Sequence, residues 1–174
     1  MLQILGLNHS GSWITTAAFA LGGLAAIMAF SPVADRLAGL LAAAPPRLGM
    51  FKPLRKSTLN LIAGIALAWL LGGFAEEIVF RGLALRWVEE QASMWMSGPV
   101  ASAVAILAAA IGAGMVHLYQ GPRGAIIITQ LSVLFGLVYV VSGHDLWAVI
   151  LCHGLYDTIA FARFARGRSR YAAS

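Results

Sequence analysis

The stretch LNLIAGIALAWLLGGFAEEIVFRG, residues 59–82, decides what kind of fold this chain can have. It places Glu76, Glu77 and Arg81 inside a run that is otherwise almost entirely apolar. Charged groups in such surroundings cost free energy, and they normally face a protein interior, a partner or a water-filled cavity. The stretch therefore predicts charged side chains that are turned away from lipid.

Two carboxylates that are adjacent in sequence point in different directions if the stretch is helical. Glu77 and Arg81 then stand at positions i and i+4 on one face, where they can pair. Glu76 is turned about 100° away from Glu77 and lacks that partner. An unpaired glutamate in a low dielectric suits proton transfer. A buried structural ion-pair cluster is the alternative that these residues alone leave open.

The composition is that of a membrane protein. Of 174 residues, 60% are hydrophobic and 11% are charged, and the mean hydropathy is +0.81, whereas a soluble domain carries roughly 25% charged residues. We expect an all-α, polytopic transmembrane bundle of about five spans, each of ~20 residues, with a membrane-embedded active-site cavity. The net charge of +5 is explained by Lys and Arg in cytoplasmic loops and does not indicate nucleic acid.

Hydropathy predicts five spans, at residues 13–30, 57–91, 99–119, 125–141 and 146–164. Because proline disfavours helix in the residue before it, Ser31-Pro32 should end the first span. The basic segment 33–56 should then be a loop, with at most a short helix at 33–43. Short connections are predicted at 92–98, 120–124 and 142–145. The chain thus divides into an N-terminal span and basic loop (1–56), a helical core (57–166) and a basic tail (167–174), which we expect to be disordered.

The second predicted helix begins at a cap, Ser57 or Thr58, and is too long for one perpendicular crossing. Running to Gln91, it would measure ~50 Å. It must tilt, kink or emerge along the interface, and Gly72-Gly73 is its weak point.

The distribution of basic residues predicts an orientation. With five spans, the segment 31–56, the turn with Arg123 and the arginine-rich tail share one side, and the segments on the other side contain no Lys or Arg. The positive-inside rule then predicts an outside N-terminus and a cytoplasmic C-terminus, in the inner (plasma) membrane. The first residues lack a basic n-region, so no cleaved signal peptide is expected. Cys152 is the single cysteine, so no intramolecular disulfide can form.

Three further ionisable residues interrupt apolar runs at membrane depth. His117 ends the third span, and His153 and Asp157 share a face of the fifth at i, i+4. Each alone is compatible with an interfacial histidine or a self-satisfied pair. Ionisable groups on three spans cost the least free energy if they all converge on one cavity. A glutamate and two histidines around water form a plausible hydrolytic set.

These residues fall into three ordered motifs. EEIVFR, Glu76 to Arg81, matches EExxxR; the histidine of MVHLYQG is the second motif; and HGLYD, His153 to Asp157, matches HxxxN/D. Over residues 57–165 the chain resembles the CAAX protease and bacteriocin-processing (CPBP, or Abi) family of intramembrane proteases.

The resemblance implies a glutamate-type intramembrane endopeptidase without a cofactor, and the short chain, with few helices outside the core, suggests a bacterial source. The resemblance implies that Glu76 and His117 activate a water, and that His153 and Asp157 stabilise the oxyanion. It further implies that Arg81 holds Glu77. The expected partners are the lipid bilayer and a peptide or protein substrate, with or without a prenyl group. The oligomeric state is not readable from the sequence.

Two departures from the family pattern concern the placement of site residues. Ala113 stands where the second motif usually has phenylalanine, which could open a pocket or loosen His117. An ionised Asp157 cannot donate a hydrogen bond to an oxyanion, so it is either protonated or orients His153. The predicted span depths also do not obviously bring Glu76, His117 and His153 to one level.

Two other functions stay open at this point. Glu76, His117 and His153 are a legitimate zinc-binding set for a metalloprotease, although no HExxH occurs. Since fold does not fix function, a non-catalytic bacteriocin-immunity protein or membrane scaffold is the alternative outside enzymes.

Overall fold

The computed structural model describes residues 11–167. Within that range five long helices follow one another along the chain, and we number them α1 to α5. Their bounds are Trp13–Leu41 (α1), Thr58–Ser93 (α2), Gly98–Val116 (α3), Gly121–Val141 (α4) and Leu146–Ala165 (α5).

The five helices form a ring in the order α2, α3, α4, α1, α5, which closes where α5 packs against α2. All five are long and apolar enough to cross a membrane. Large apolar side chains cover the outside of the ring, including Leu59, Leu70, Leu107 and Ile111, as expected where lipid replaces water. The predicted all-α transmembrane bundle is confirmed, and the chain is an integral membrane protein.

The connecting segments gather at two ends, as predicted. At one end the backbone N–H of Arg47 donates to Gln120 O at 2.7 Å, and Arg55 Nε donates to Phe164 O at 3.1 Å. At the other end Thr16 donates to Asp145 Oδ2 at 2.5 Å. The basic segment 33–56, the turn with Arg123 and the described start of the tail therefore share one end of the bundle; that this end is cytoplasmic stays a prediction.

The prediction that Ser31-Pro32 ends the first span was wrong. Helix α1 continues through Pro32 to Leu41. A proline in a membrane helix is tolerated when neighbouring elements compensate for its missing N–H. Here Ala34 and Ala38 are fully buried beyond the proline. Asp35 also accepts a hydrogen bond from Arg123 Nη2 of α4 at 2.8 Å. Tertiary contacts thus outweigh the local signal.

The predicted turn at 120–124 was also wrong in extent. A short 3₁₀ turn, Leu118–Gln120, follows α3, and α4 begins at once with Gly121-Pro122. Gly121 adopts φ +84°, which favours glycine, and Pro122 is suited to the first helical turn. The tail predicted to be disordered, beyond Gly167, lies outside the described residues.

Helix α2 is continuous and begins where predicted, with Ser57 Oγ accepting from the N–H of Asn60 at 3.1 Å. Its middle, Trp69–Glu76 and Ile78–Leu85, winds as a π-helix, a wider form with i→i+5 hydrogen bonds that often occurs at functional sites. The expected weak point at Gly72-Gly73 lies inside this wider winding, and the helix does not break there.

Candidate active site

The two glutamates of α2 face different surroundings. The side chain of Glu77 is completely buried, whereas that of Glu76 is 33% exposed. Because neighbouring residues on a helix diverge by roughly a quarter of a turn, one carboxylate points into the bundle and the other is partly exposed. The prediction that Glu77 is paired and that Glu76 is the freer carboxylate is thus confirmed, while their chemical roles stay predictions.

Glu77 is the acceptor at the centre of a buried network. Its Oε1 accepts from Arg81 Nη1 at 3.1 Å and from His153 Nδ1 at 2.5 Å. The predicted i, i+4 pair is confirmed, and the contact with His153 is one that sequence reasoning missed. Because Nδ1 donates to Glu77, the other ring nitrogen of His153 is directed elsewhere.

Arg81 reaches across the bundle to α4. Its Nη2 donates to both the carbonyl oxygen and Oγ of Ser132, at 2.9 and 2.6 Å. Phe135, one helical turn further along α4, stacks on His153 with ring centroids 4.5 Å apart. Neither α4 residue was predicted, since nothing in their local sequence distinguishes a serine or a phenylalanine that touches a buried charge.

His117 faces Glu76. Its Nδ1 donates to the carbonyl oxygen of Ala113 at 2.8 Å, since a carbonyl can only accept. Its Nε2 lies 3.7 Å from Glu76 Oε1, just beyond hydrogen-bond range. The backbone of Ala113, and not a side chain at that position, therefore orients His117.

The meeting of Glu76 and His117 follows from the α2–α3 hairpin. Glu89 accepts from Ser102 across the hairpin, and Phe80 lies beside Gly112. In each of these pairs, as in the Glu76–His117 pair, the two residues stand at nearly equal distance from the turn. Across a short antiparallel hairpin, residues at nearly equal distance from the turn lie at about the same level, so the apparent mismatch in depth between Glu76 and His117 disappears.

Asp157 lies beside His153 on α5. Its Oδ2 lies 3.6 Å from His153 Nε2. Its side chain is 21% exposed. The structure thus places Glu76 against His117 and places His153 against Glu77 and Asp157; the chemical roles of these residues stay predictions.

Small residues let α5 approach α2 closely at this point. A Cβ on Gly73 would lie 3.3 Å from the backbone of Gly154, and one on Gly154 would clash with the Trp69 ring at 2.5 Å. Trp69 Nε1 also donates to Thr158 Oγ1 at 3.0 Å. Gly72, one residue earlier, faces Asp157 directly. The close crossing therefore places the third motif against the first.

Within residues 11–167, no group of three His, Cys, Asp or Glu side chains is arranged to hold a metal ion. An apolar groove of about 310 Å³ runs between α1 and α4, and its lining contains none of the candidate site residues. The expected active-site cavity stays a prediction.

Comparison with known proteins agrees with the motifs. A family model described as Type II CAAX prenyl endopeptidase Rce1-like matches residues 58–159, which is more than half of the chain and includes all six candidate site residues. No curated protein and no solved structure matches the chain.

Proposed function

The chain belongs to the Rce1-like family of type II CAAX prenyl endopeptidases, and from this membership we propose that it cuts a peptide bond within the membrane, using a water activated by Glu76 and His117. The observation that carries the proposal is the opposition of these two side chains. They face each other at 3.7 Å, too far apart for a good direct hydrogen bond and close enough that one water lying beside the pair can contact both.

In the proposed reaction, Glu76 accepts a proton as the water oxygen bonds to the substrate carbonyl carbon. His117, fixed through Ala113 O, holds the same water in line. When the tetrahedral intermediate collapses, the C–N bond breaks and the proton from Glu76 passes to the leaving amine. General acid–base catalysis of this kind contributes about 10²–10⁴-fold.

The oxyanion of that intermediate needs a donor, and we assign His153 Nε2 to this role with the ring as an imidazolium, since only that form donates from both nitrogens. Its Nδ1 is held by Glu77, which leaves Nε2 pointing to the side where Asp157 lies, 3.6 Å away. Asp157 helps only if it is protonated or if it orients a donor, since an ionised carboxylate cannot donate. Glu77 and Arg81 support His153 and do not touch substrate in this scheme.

The proposed substrate is a peptide or protein that carries a C-terminal prenylated cysteine motif, a class taken from the family description. The bundle would lie in the inner (plasma) membrane with its basic end in the cytoplasm. Single cysteines introduced at the two ends test this orientation, because the natural Cys152 is fully buried. Position 49 should react with a membrane-impermeant thiol reagent only after cells are opened, and position 97 in intact cells; the reverse pattern would invert the topology.

The test of function is turnover by the purified full chain in liposomes, with an internally quenched farnesylated C-terminal peptide as the probe. Glu76→Gln should lower kcat by about 10²–10⁴-fold. Glu90→Gln is the matched control, because Glu90 lies on the same helix and is exposed; it should leave kcat unchanged. Equal activity of Glu76→Gln and the unaltered chain would refute the assignment.

A further inference from the structure

Helix α4 carries no residue of the three motifs, yet it contacts the buried network of Glu77, Arg81 and His153. Ser132 and Phe135 are each only 4% exposed. Because they are three residues apart, they lie on one face of the helix, and that face contacts Arg81 and His153.

Ser132 determines where the guanidinium of Arg81 sits. Two of the hydrogen bonds of Arg81 go to Ser132, at 2.9 Å to its carbonyl oxygen and 2.6 Å to Oγ. Both use Nη2, which leaves Nη1 aimed at Glu77 Oε1. A guanidinium presents its donors in a rigid planar fork, so fixing one nitrogen fixes the direction of the other.

Phe135 limits the freedom of the imidazole. Its ring lies nearly parallel to the His153 ring, with an interplanar angle of 24°. The same phenylalanine ring lies 5.6 Å from the Arg81 guanidinium carbon. Phe135 thus contacts both His153 and Arg81, the cation that holds Glu77. Its ring blocks rotation of the imidazole toward α4.

We propose that Ser132 and Phe135 are positioning residues for the oxyanion-binding histidine, acting through the chain of contacts from Ser132 to Arg81, Glu77 and His153. The inference deepens the proposed function and rests on it. A serine that only filled space would be replaceable by alanine without consequence. Here the Ser132 hydroxyl orients the Arg81 guanidinium. That guanidinium holds Glu77, which accepts the hydrogen bond from His153 Nδ1.

The first experiment compares kcat and KM for three variants with the farnesylated peptide in liposomes. Ser132→Ala should lower kcat about tenfold, the effect of losing one hydrogen bond to a charged group, while KM changes less than twofold. Ser132→Thr keeps the hydroxyl and should restore most of kcat. Thr129→Ala is the matched control, since its hydroxyl donates to Ala125 O within α4, and it should resemble the unaltered chain.

The second experiment needs no substrate and separates this inference from the proposed function. The ¹⁵N resonances of the His153 ring, identified by their loss in His153→Gln, report the hydrogen bond of Nδ1. Ser132→Ala and Phe135→Leu should shift or broaden them, and Thr129→Ala should not. Unchanged resonances and unchanged kcat in Ser132→Ala would overturn the positioning role. If the unaltered chain does not cut the peptide, but Ser132→Ala still shifts the His153 resonances, the proposed function is refuted and the positioning role of Ser132 is retained.

Discussion

The two halves of the site differ in how tightly they are held, although they start from adjacent residues. Glu77, Arg81 and His153 form a closed half with direct hydrogen bonds, in which Glu77 has no exposed surface. Glu76, His117 and Asp157 form an open half, with longer separations and more exposure.

This difference indicates a division of work. Groups that are buried and directly bonded fix geometry, because any movement would break strong contacts. Groups that face each other with a gap can admit a reacting molecule. Changes in the closed half should therefore act first on stability, and changes in the open half on turnover.

The largest loss of stability is expected from breaking the closed half. Glu77→Ala leaves Arg81 buried without its carboxylate and should lower the free energy of unfolding by about 3–5 kcal/mol. Thermal unfolding in detergent measures this loss.

A double variant sharpens the same test. Glu77 Oε2 and Arg81 Nε are already buried without a hydrogen-bond partner among the described residues. Glu77→Leu combined with Arg81→Met should therefore be more stable than Glu77→Ala, while remaining inactive because His153 has lost its acceptor. Full activity of the double variant would contradict the positioning role of Glu77.

A smaller loss is expected where the two helices cross. Gly73→Ala places a Cβ 3.3 Å from backbone atoms of Gly154, and such overpacking typically costs about 1–3 kcal/mol. Gly22→Ala is the matched control, because its Cβ would meet nothing within 4 Å, and it should stabilise the helix by about 0.5–1 kcal/mol. Equal melting temperatures for the two variants would contradict the close crossing.

The neighbouring glycine probes the open half. A Cβ on Gly72 would lie 2.9 Å from Asp157 Oδ2, a side-chain atom that can move. Gly72→Ala should therefore change the melting temperature little and lower kcat about tenfold through displacement of the carboxylate, since small misplacements in a site are costly. If Gly72→Ala unfolds the chain or leaves kcat unaltered, the proposed difference between the closed and open halves is contradicted.

A still smaller effect is expected at the end of the bundle remote from the basic segments. Glu89 Oε2 contacts His144 Nε2 at 2.9 Å, and both side chains are partly exposed. Exposed ion pairs contribute about 0–1 kcal/mol, so Glu89→Gln should shift the melting temperature only slightly and leave kcat intact. A large loss of kcat would extend the site to this end.

No effect is expected from metal removal. The proposed chemistry uses a carboxylate and imidazoles alone, so turnover should persist after dialysis against a strong chelator. If chelation abolishes turnover and zinc restores it, the metalloprotease alternative with Glu76, His117 and His153 as ligands replaces the present account.

Local sequence patterns predicted the parts of the fold that local physics controls. The Ser57 cap and the Glu77–Arg81 pair depend on residues within one turn, and both are present. The prediction that Pro32 ends the first span was wrong because it considered only the local effect of proline. Packing against helices that are distant in sequence buries Ala34 and Ala38 and keeps the segment helical.

The non-local contacts of the site differ in how far the sequence could reveal them. The Glu76–His117 contact was readable from the hairpin register, because the turn between α2 and α3 is short. The contacts of Glu77 with His153 and of Arg81 with Ser132 join segments 76 and 51 residues apart. No local pattern encodes such a distance, so these contacts required the three-dimensional packing.

The central claim is that Glu76 and His117 act on one water, and a double-mutant cycle on kcat tests it most directly. The variants are Glu76→Gln, His117→Gln and their combination, each assayed in liposomes with the farnesylated peptide. If the two side chains form one unit, the combined variant should be about as slow as the slower single variant. Losses that multiply in the combined variant would show independent action and contradict the account.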